Sequence, residues 1–158
     1  MNNCFIILAA GKSKRFKSKT PKPYYLYRGK PLIQHSIDKA LESKKFKTIV
    51  ICVNKEHKKF IKTLKIKNIK VIEGGETRAE SSFKALKSIK NYNIKNVLIH
   101  DAARPNFSLK LLNNILNELK FNSSVVPAIK TNDSVKMKNK KKITNLNREN
   151  IYLTQTPQ

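Results

Sequence analysis

Four glycines are all that this chain of 158 residues carries, Gly11, Gly29, Gly74 and Gly75, and only five of its 34 basic residues are arginine. Neither a G-x-x-x-x-G-K-[ST] phosphate loop nor a G-x-G-x-x-G dinucleotide fingerprint can be drawn through them, so two familiar nucleotide-binding loops are excluded. There are two cysteines, Cys4 and Cys52. Each sits in an apolar, β-like run and reads as a reduced core thiol, not as half of a bridge or a metal pair. No zinc-type ligand spacing and no G-x-S-x-G elbow occurs, which argues against a zinc centre and a serine hydrolase. No apolar run nears the ~20 residues of a membrane-spanning helix. Met1-Asn2-Asn3 is not a basic leader, and the apolar stretch behind it is short and strand-like. A cytoplasmic protein without a signal peptide is the expectation. No internal repeat is visible.

Acidic residues are few as well, 10 against 34 basic ones, which leaves a net charge of +24. Such a charge invites a nucleic-acid reading. Its make-up argues against one. Lysine is spread over almost every segment alongside abundant Asn and Ile, whereas nucleic-acid readers concentrate arginine and stacking aromatics on one face. The charge should still steer anionic ligands inward. Against this drift the exceptions are informative. Arg15, Arg78, Arg104 and Arg148 all fall in the motifs below, where a planar, bidentate fork has a use that lysine cannot meet. Gly74-Gly75 suggests backbone geometry that no other residue adopts.

With 39% hydrophobic residues the chain can bury the core of one domain. Cys4 to Leu8 reads as a buried strand that stops at Ala9-Ala10-Gly11, with only polar and basic residues after it. Pro31 can open a helix whose stripe is Leu32, Ile33, Ile37, Ala40 and Leu41. Thr48 to Val53 is a second strand, followed by a lysine-rich helix with Phe60, Ile61 and Leu64 on its apolar face. Ile69 to Ile72 is a third strand. Thr77-Arg78-Ala79-Glu80 is a capping box, opening a helix with Ala79, Phe83, Leu86 and Ile89 inward. Asn96 to Ile99 is a fourth strand, and Ser108 caps a helix with Leu111, Leu112, Ile115 and Leu119 at core spacing. Ser124 to Ile129 is a fifth strand. Segments 133–138 and 143–146 predict a β-hairpin with a polar tip, too poor in apolar surface to stand alone; a floppy basic loop is the plainer alternative. The alternation predicts an α/β fold with a mainly parallel, Rossmann-like sheet flanked by helices.

Ligands of such sheets bind beyond the carboxyl ends of the strands, and the unusual residues collect there. Ala9, Ala10 and Gly11 lack bulk, so backbone N–H groups can approach a phosphate, with Arg15 and Lys22 as cations beside them. Asp101 is a lone carboxylate next to Ala102 and Ala103; it suits a hydrated Mg²⁺ bridging phosphates, or simply caps its loop. His100 reads as a packed strand-end residue. The set suits attack of one phosphate on another, where catalysis is charge neutralisation and in-line positioning.

L-A-A-G-x-x-x-R at Leu8 to Arg15, followed by Pro21-Lys22, resembles the signature loop of sugar-phosphate nucleotidyltransferases. With E-G-G-E-T-R-A-E-S-S (Glu73 to Ser82), H-D-A-A-R-P (His100 to Pro105), D-S-V-K (Asp133 to Lys136) and T-Q-T-P-Q (Thr154 to Gln158), the whole chain resembles the 2-C-methyl-D-erythritol 4-phosphate cytidylyltransferase family. The resemblance implies CTP and Mg²⁺ as co-reactants and a homodimer whose hairpin arms, about residues 131–150, complete each other's sites. It implies catalytic roles for Arg15 and Lys22, and Ala9, Ala10, Gly11 and Lys22 at the triphosphate. Gly75, Glu76 and Ser81 would read cytosine and ribose, and Asp101 and Ala102 would meet ribose, metal and acceptor. Arg104 would face the acceptor, joined by Ser134 and Arg148 from the neighbouring arm. Ser134 stands where the family commonly has Thr. The family continues past T-P-Q through T-D and N-x-K-x-T segments, so a domain incomplete at its C-terminus, a fusion piece or a short form is expected. Ribitol-5-phosphate cytidylyltransferases share most of these motifs, and an inactive fragment or a basic nucleotide- or RNA-binding protein is the alternative from another class.

Overall fold

A computed structural model describes residues 2–13 and 16–158 of the chain. Arg15, expected at the phosphates, lies outside the described residues. In chain order, β1 (Asn3–Ala9) leads through a 3-10 turn at Lys22–Tyr24 and the small hairpin β2 (Leu26–Tyr27) and β3 (Lys30–Pro31) into α1 (Leu32–Glu42). Then come β4 (Thr48–Val53), α2 (Lys58–Ile61), β5 (Lys70–Glu73), α3 (Arg78–Ser88), β6 (Asn96–Asp101) and α4 (Leu109–Glu118). β7 (Ala128–Lys130), β8 (Lys136–Asn139), β9 (Lys142–Asn145) and β10 (Tyr152–Thr154) complete the order.

β1, β4, β5 and β6 form one parallel sheet in the order β5-β4-β1-β6. Parallel strands are covered on both faces, which is why β1 and β4 read as unbroken apolar runs. Phe5, Ile7, Ile49, Ile51 and Leu98 point to a face closed by Ile33, Ile37, Leu112 and Ile115 of α1 and α4. Cys4, Ile6, Val50 and Cys52 point to the other, closed by Ala85 of α3 and by Ile89 at its C-cap. The order reverses at β1, with β4 and β5 to one side and β6 to the other. A crevice forms at such a switch point.

Several expectations change. Leu41 is half exposed at the end of α1. The lysine-rich helix shrinks to the single turn of α2, because Lys58, Lys59, Lys62 and Lys65 would stack like charges three and four residues apart. α3 departs from the expected stripe: Ile89, at its C-cap, faces the sheet as expected, but Ser81 and Ala85 do so in place of Ala79, Phe83 and Leu86, which are exposed. Small side chains let this helix lie close to the strands. The fifth strand is only β7, fully exposed and paired antiparallel with β10 off the main sheet. Pro127 interrupts the expected run, having no N–H for a ladder; its carbonyl accepts from Gln155 N–H at 2.7 Å. The arm hairpin forms between β8 and β9, paired from Lys136↔Asn145 to Asn139↔Lys142.

Gly74 and Gly75 do not occupy the left-handed region, so the reason for the pair is space. A Cβ on Gly74 would lie 2.4 Å from the Ala10 Cβ. Gly74→Ala is therefore expected to destabilise the fold by about 1–3 kcal/mol, read as a lower urea midpoint. Gly11→Ala meets nothing within 4 Å and should leave the midpoint within about 0.5 kcal/mol.

Candidate active site

Three strand ends meet at the switch point and are stitched together by their own backbones. Ala102 N–H donates to Leu8 O at 3.0 Å, which joins β6 to β1. Gly74 N–H donates to Val53 O at 2.9 Å, which joins β5 to β4. Asn54 Nδ2 donates to Ala10 O at 3.4 Å. Around these ends opens a cleft of about 980 Å³, bounded by Ala9–Ser13, Phe16, Lys22-Pro23, Gly75–Arg78 with Ser81, and Asp101–Arg104.

Each wall follows from local sequence. Pro21 and Pro23 flank Lys22 on a 3-10 turn whose Pro23 and Tyr24 are buried, so the backbone is held while the ammonium stays exposed. Lys22 N–H donates to Ser13 Oγ at 3.1 Å, tying this turn to the β1 loop. On the opposite wall Thr77 caps α3 by accepting from Glu80 N–H at 3.1 Å. The capping box does not close as expected: the Glu80 carboxylate accepts instead from Glu76 N–H at 2.8 Å, one residue earlier. Ser81 Oγ accepts from Gly75 N–H at 2.9 Å and so shapes the Gly75-Glu76 turn from below.

Asp101 is clasped from two sides. Arg78 Nε lies 3.3 Å from Oδ1 and Arg104 Nε 3.4 Å from Oδ2. Gln158 Oε1 accepts from Arg78 Nη2 at 3.2 Å, and Gln155 Oε1 from Arg104 Nη1 at 2.8 Å. Behind Asp101, His100 is wholly buried between Ser36 and Thr156, with Nε2 3.1 Å from Ser36 Oγ and Nδ1 3.1 Å from Thr156 Oγ1. Burial brings its pKa down to about 4, against the opposing pull of Asp101 and the Arg104 backbone. The Cys52 thiol is pushed up to about 12 by burial alone and offers no nucleophile.

The lining cations Lys12, Lys22, Arg78 and Arg104 face two acids, Glu76 and Asp101. Glu76 pairs with Lys12 at 3.2 Å. Lys22 is the lining cation with no carboxylate partner among the described residues. Cations thus outnumber acids around the cleft, a balance that suits anionic ligands. Among the described residues no three His, Cys, Asp or Glu side chains gather as a metal cage. Mg²⁺ needs none, because it keeps its waters and takes one or two carboxylates plus substrate phosphates. Asp101 is a carboxylate of that kind, with both its oxygens facing arginines in this structure.

The structure brings Ala9, Ala10, Gly11, Lys22, Gly75, Glu76, Ser81, Asp101, Ala102 and Arg104 to one cleft. Ser134 and Arg148 are exposed beside the arm and do not line it. Sequence reasoning gave no role to Lys12, Phe16, Arg78, Gln155, Thr156 or Gln158. Arg78 carried a signal as one of five arginines in a lysine-rich chain, and Gln155, Thr156 and Gln158 as members of the T-Q-T-P-Q motif.

Residues 3–158 match the sequence profile of the family described as 2-C-methyl-D-erythritol 4-phosphate cytidylyltransferase. The chain is 67% identical over 158 residues to a bifunctional enzyme IspD/IspF of Pelagibacter ubique, covering all of this chain and 43% of that protein. It is 33% identical to a 2-C-methyl-D-erythritol 4-phosphate cytidylyltransferase of Thermotoga neapolitana, over 99% of this chain and 71% of that protein. The solved structure of a 4-diphosphocytidyl-2C-methyl-D-erythritol synthase from Anaerococcus prevotii superposes with a TM-score of 0.83 at 28% identity, covering 98% of this chain and 68% of that one. The chain thus spans less than half of the bifunctional relative and about seven-tenths of the shorter ones.

Proposed function

The chain belongs to the 2-C-methyl-D-erythritol 4-phosphate cytidylyltransferase family, and on that premise we propose that its cleft transfers a cytidylyl group from CTP to 2-C-methyl-D-erythritol 4-phosphate. A phosphate oxygen of the acceptor attacks the α-phosphorus of CTP. The bond from that phosphorus to the bridging oxygen breaks, and pyrophosphate leaves with the electron pair. The supporting observation is the convergence of the β1, β5 and β6 ends on one cleft with a surplus of cations.

The roles follow the walls. The loop Ala9-Ala10-Gly11 has no side chain to keep phosphates from its N–H groups. Lys22 and Arg15 neutralise charge that grows on the α-phosphoryl oxygens. Gly75, Glu76 and Ser81 form a narrow turn that takes cytosine and ribose, with room for a pyrimidine. Asp101 and Ala102 face ribose and the reacting phosphates, and Arg104 faces the acceptor. Mg²⁺, when bound to the phosphates and Asp101, supplies further charge neutralisation. The exposed arm, with Met137 and Ile143 half or more uncovered, carries Ser134 and Arg148 towards the acceptor of a second subunit in a homodimer.

The test is pyrophosphate release from the protein supplied with CTP or ATP and with either sugar-alcohol phosphate. Release is expected with CTP and the methylerythritol phosphate. Release confined to ribitol 5-phosphate, or equal with ATP, would overturn this reading.

A further inference from the structure

We propose that His100 and Thr156 are positioning residues: one directed chain of hydrogen bonds through them sets the Asp101 carboxylate between Arg78 and Arg104. The inference rests on the reading that Asp101 faces the reacting groups. His100 itself does not line the cleft. Phe5 and Phe107 pack against its ring, with centroids 5.6 Å and 4.6 Å away.

A buried imidazole needs partners for both nitrogens, and when neutral one must donate and one accept. Asp101 N–H donates to Thr156 Oγ1 at 3.3 Å. The single hydroxyl proton of Thr156 is then free for His100 Nδ1, 3.1 Å away. A second lone pair on Thr156 Oγ1 leaves both tautomers open; the one proposed has the lone pair on Nδ1 and the proton on Nε2, donated to Ser36 Oγ on α1. In that tautomer the links run in one direction, from the Asp101 backbone at the cleft to a helix behind the sheet. Such chains lose more than one bond when a member is removed.

The residues flanking Thr156 extend the hold. Gln155 grips Arg104 and Gln158 grips Arg78. Gln158 also exchanges both backbone hydrogen bonds with Ile99, at 2.8 and 2.9 Å. One short segment thus holds one guanidinium, the aspartate backbone and the other guanidinium in succession. A shift of the segment moves all three groups together.

Thr156→Val removes the hydroxyl at constant shape and Thr156→Ser keeps it. Thr156→Val is expected to speed exchange of the Asp101 amide about tenfold and to lower kcat for pyrophosphate release about tenfold. KM for CTP should change by less than about threefold, because Lys22 and the Ala9–Gly11 loop are untouched. Thr156→Ser should restore both. His100→Asn, whose amide reaches the Nδ1 position, should retain more activity than His100→Gln, whose amide reaches Nε2. In the parent protein, ¹⁵N spectra should show His100 Nδ1 unprotonated. A protonated Nδ1, unchanged Asp101 exchange in Thr156→Val, or Thr156→Ser falling as far as Thr156→Val would each overturn the proposal. If the variants do not fold, the parent spectrum decides. Absence of pyrophosphate release from the parent protein would instead overturn the transfer reaction, leaving exchange and tautomer to judge the positioning.

Discussion

Lys22→Ala is expected to lower kcat for cytidylyl transfer by about 10²- to 10³-fold, the usual cost of removing one preorganised charge from a developing oxyanion. The ammonium has no carboxylate partner among the described residues, so a phosphate can take it without first breaking an ion pair. Its backbone is fixed by Pro21, Pro23 and the bond to Ser13, so the charge is held close to its working position before substrate arrives. The same exposure means that folding should hardly register the change. A urea midpoint within about 0.5 kcal/mol of the parent is expected, as for other exposed substitutions. A steady-state assay together with an unfolding curve separates the outcomes. Loss of activity with loss of fold would refute the assignment of Lys22 to chemistry, and so would full activity.

Acid is expected to weaken the fold well above the pH at which carboxylates protonate. His100 in the unfolded chain titrates near its ordinary 6.5, but in the folded protein burial holds it near 4. Between these values the unfolded state binds a proton that the native state refuses. Stability is therefore complete above the unfolded pKa and falls as pH drops through the window from 6.5 to 4. From pH 7 to pH 5 the linkage amounts to about 2 kcal/mol, a large share of a total of roughly 5–15 kcal/mol for a domain. His57 is lowered by burial too and acts in the same direction. Urea unfolding at the two pH values should show the difference, and His100→Asn should remove most of it. A flat profile in the parent protein would show that the imidazole is hydrated or already charged.

Much of this architecture was legible because β1 and β4 are buried on both faces, and only an apolar strand satisfies that position. Ser108 was legible for a similar reason: a hydroxyl before an apolar stripe has one evident task, and its oxygen does accept from Leu111 N–H at 3.1 Å. The orientation of α3 was not. Phe83 and Leu86 offered a plausible apolar stripe, and what chose against it was the bond from Gly75 N–H to Ser81 Oγ, a contact between loop and helix that periodicity does not register. Ser124 to Ile129 failed through Pro127, whose missing donor outweighed β propensity. In the cleft, Ala9, Gly11, Lys22, Gly75 and Asp101 stood out as rare residues or members of motifs. The clasp of Arg78 and Arg104 on Asp101, and its support by Gln155, Thr156 and Gln158, pairs residues up to 80 positions apart. No local pattern encodes a pairing at that range.

The methyl group of Ala10 has a further consequence, since it sits where any side chain at position 74 would have to go. The loop that follows β1 and the turn that follows β5 therefore touch at this point, with no space for a side chain between them. Drift at either position is thus constrained by the other: a larger residue at 10 or any side chain at 74 would push the two loops apart.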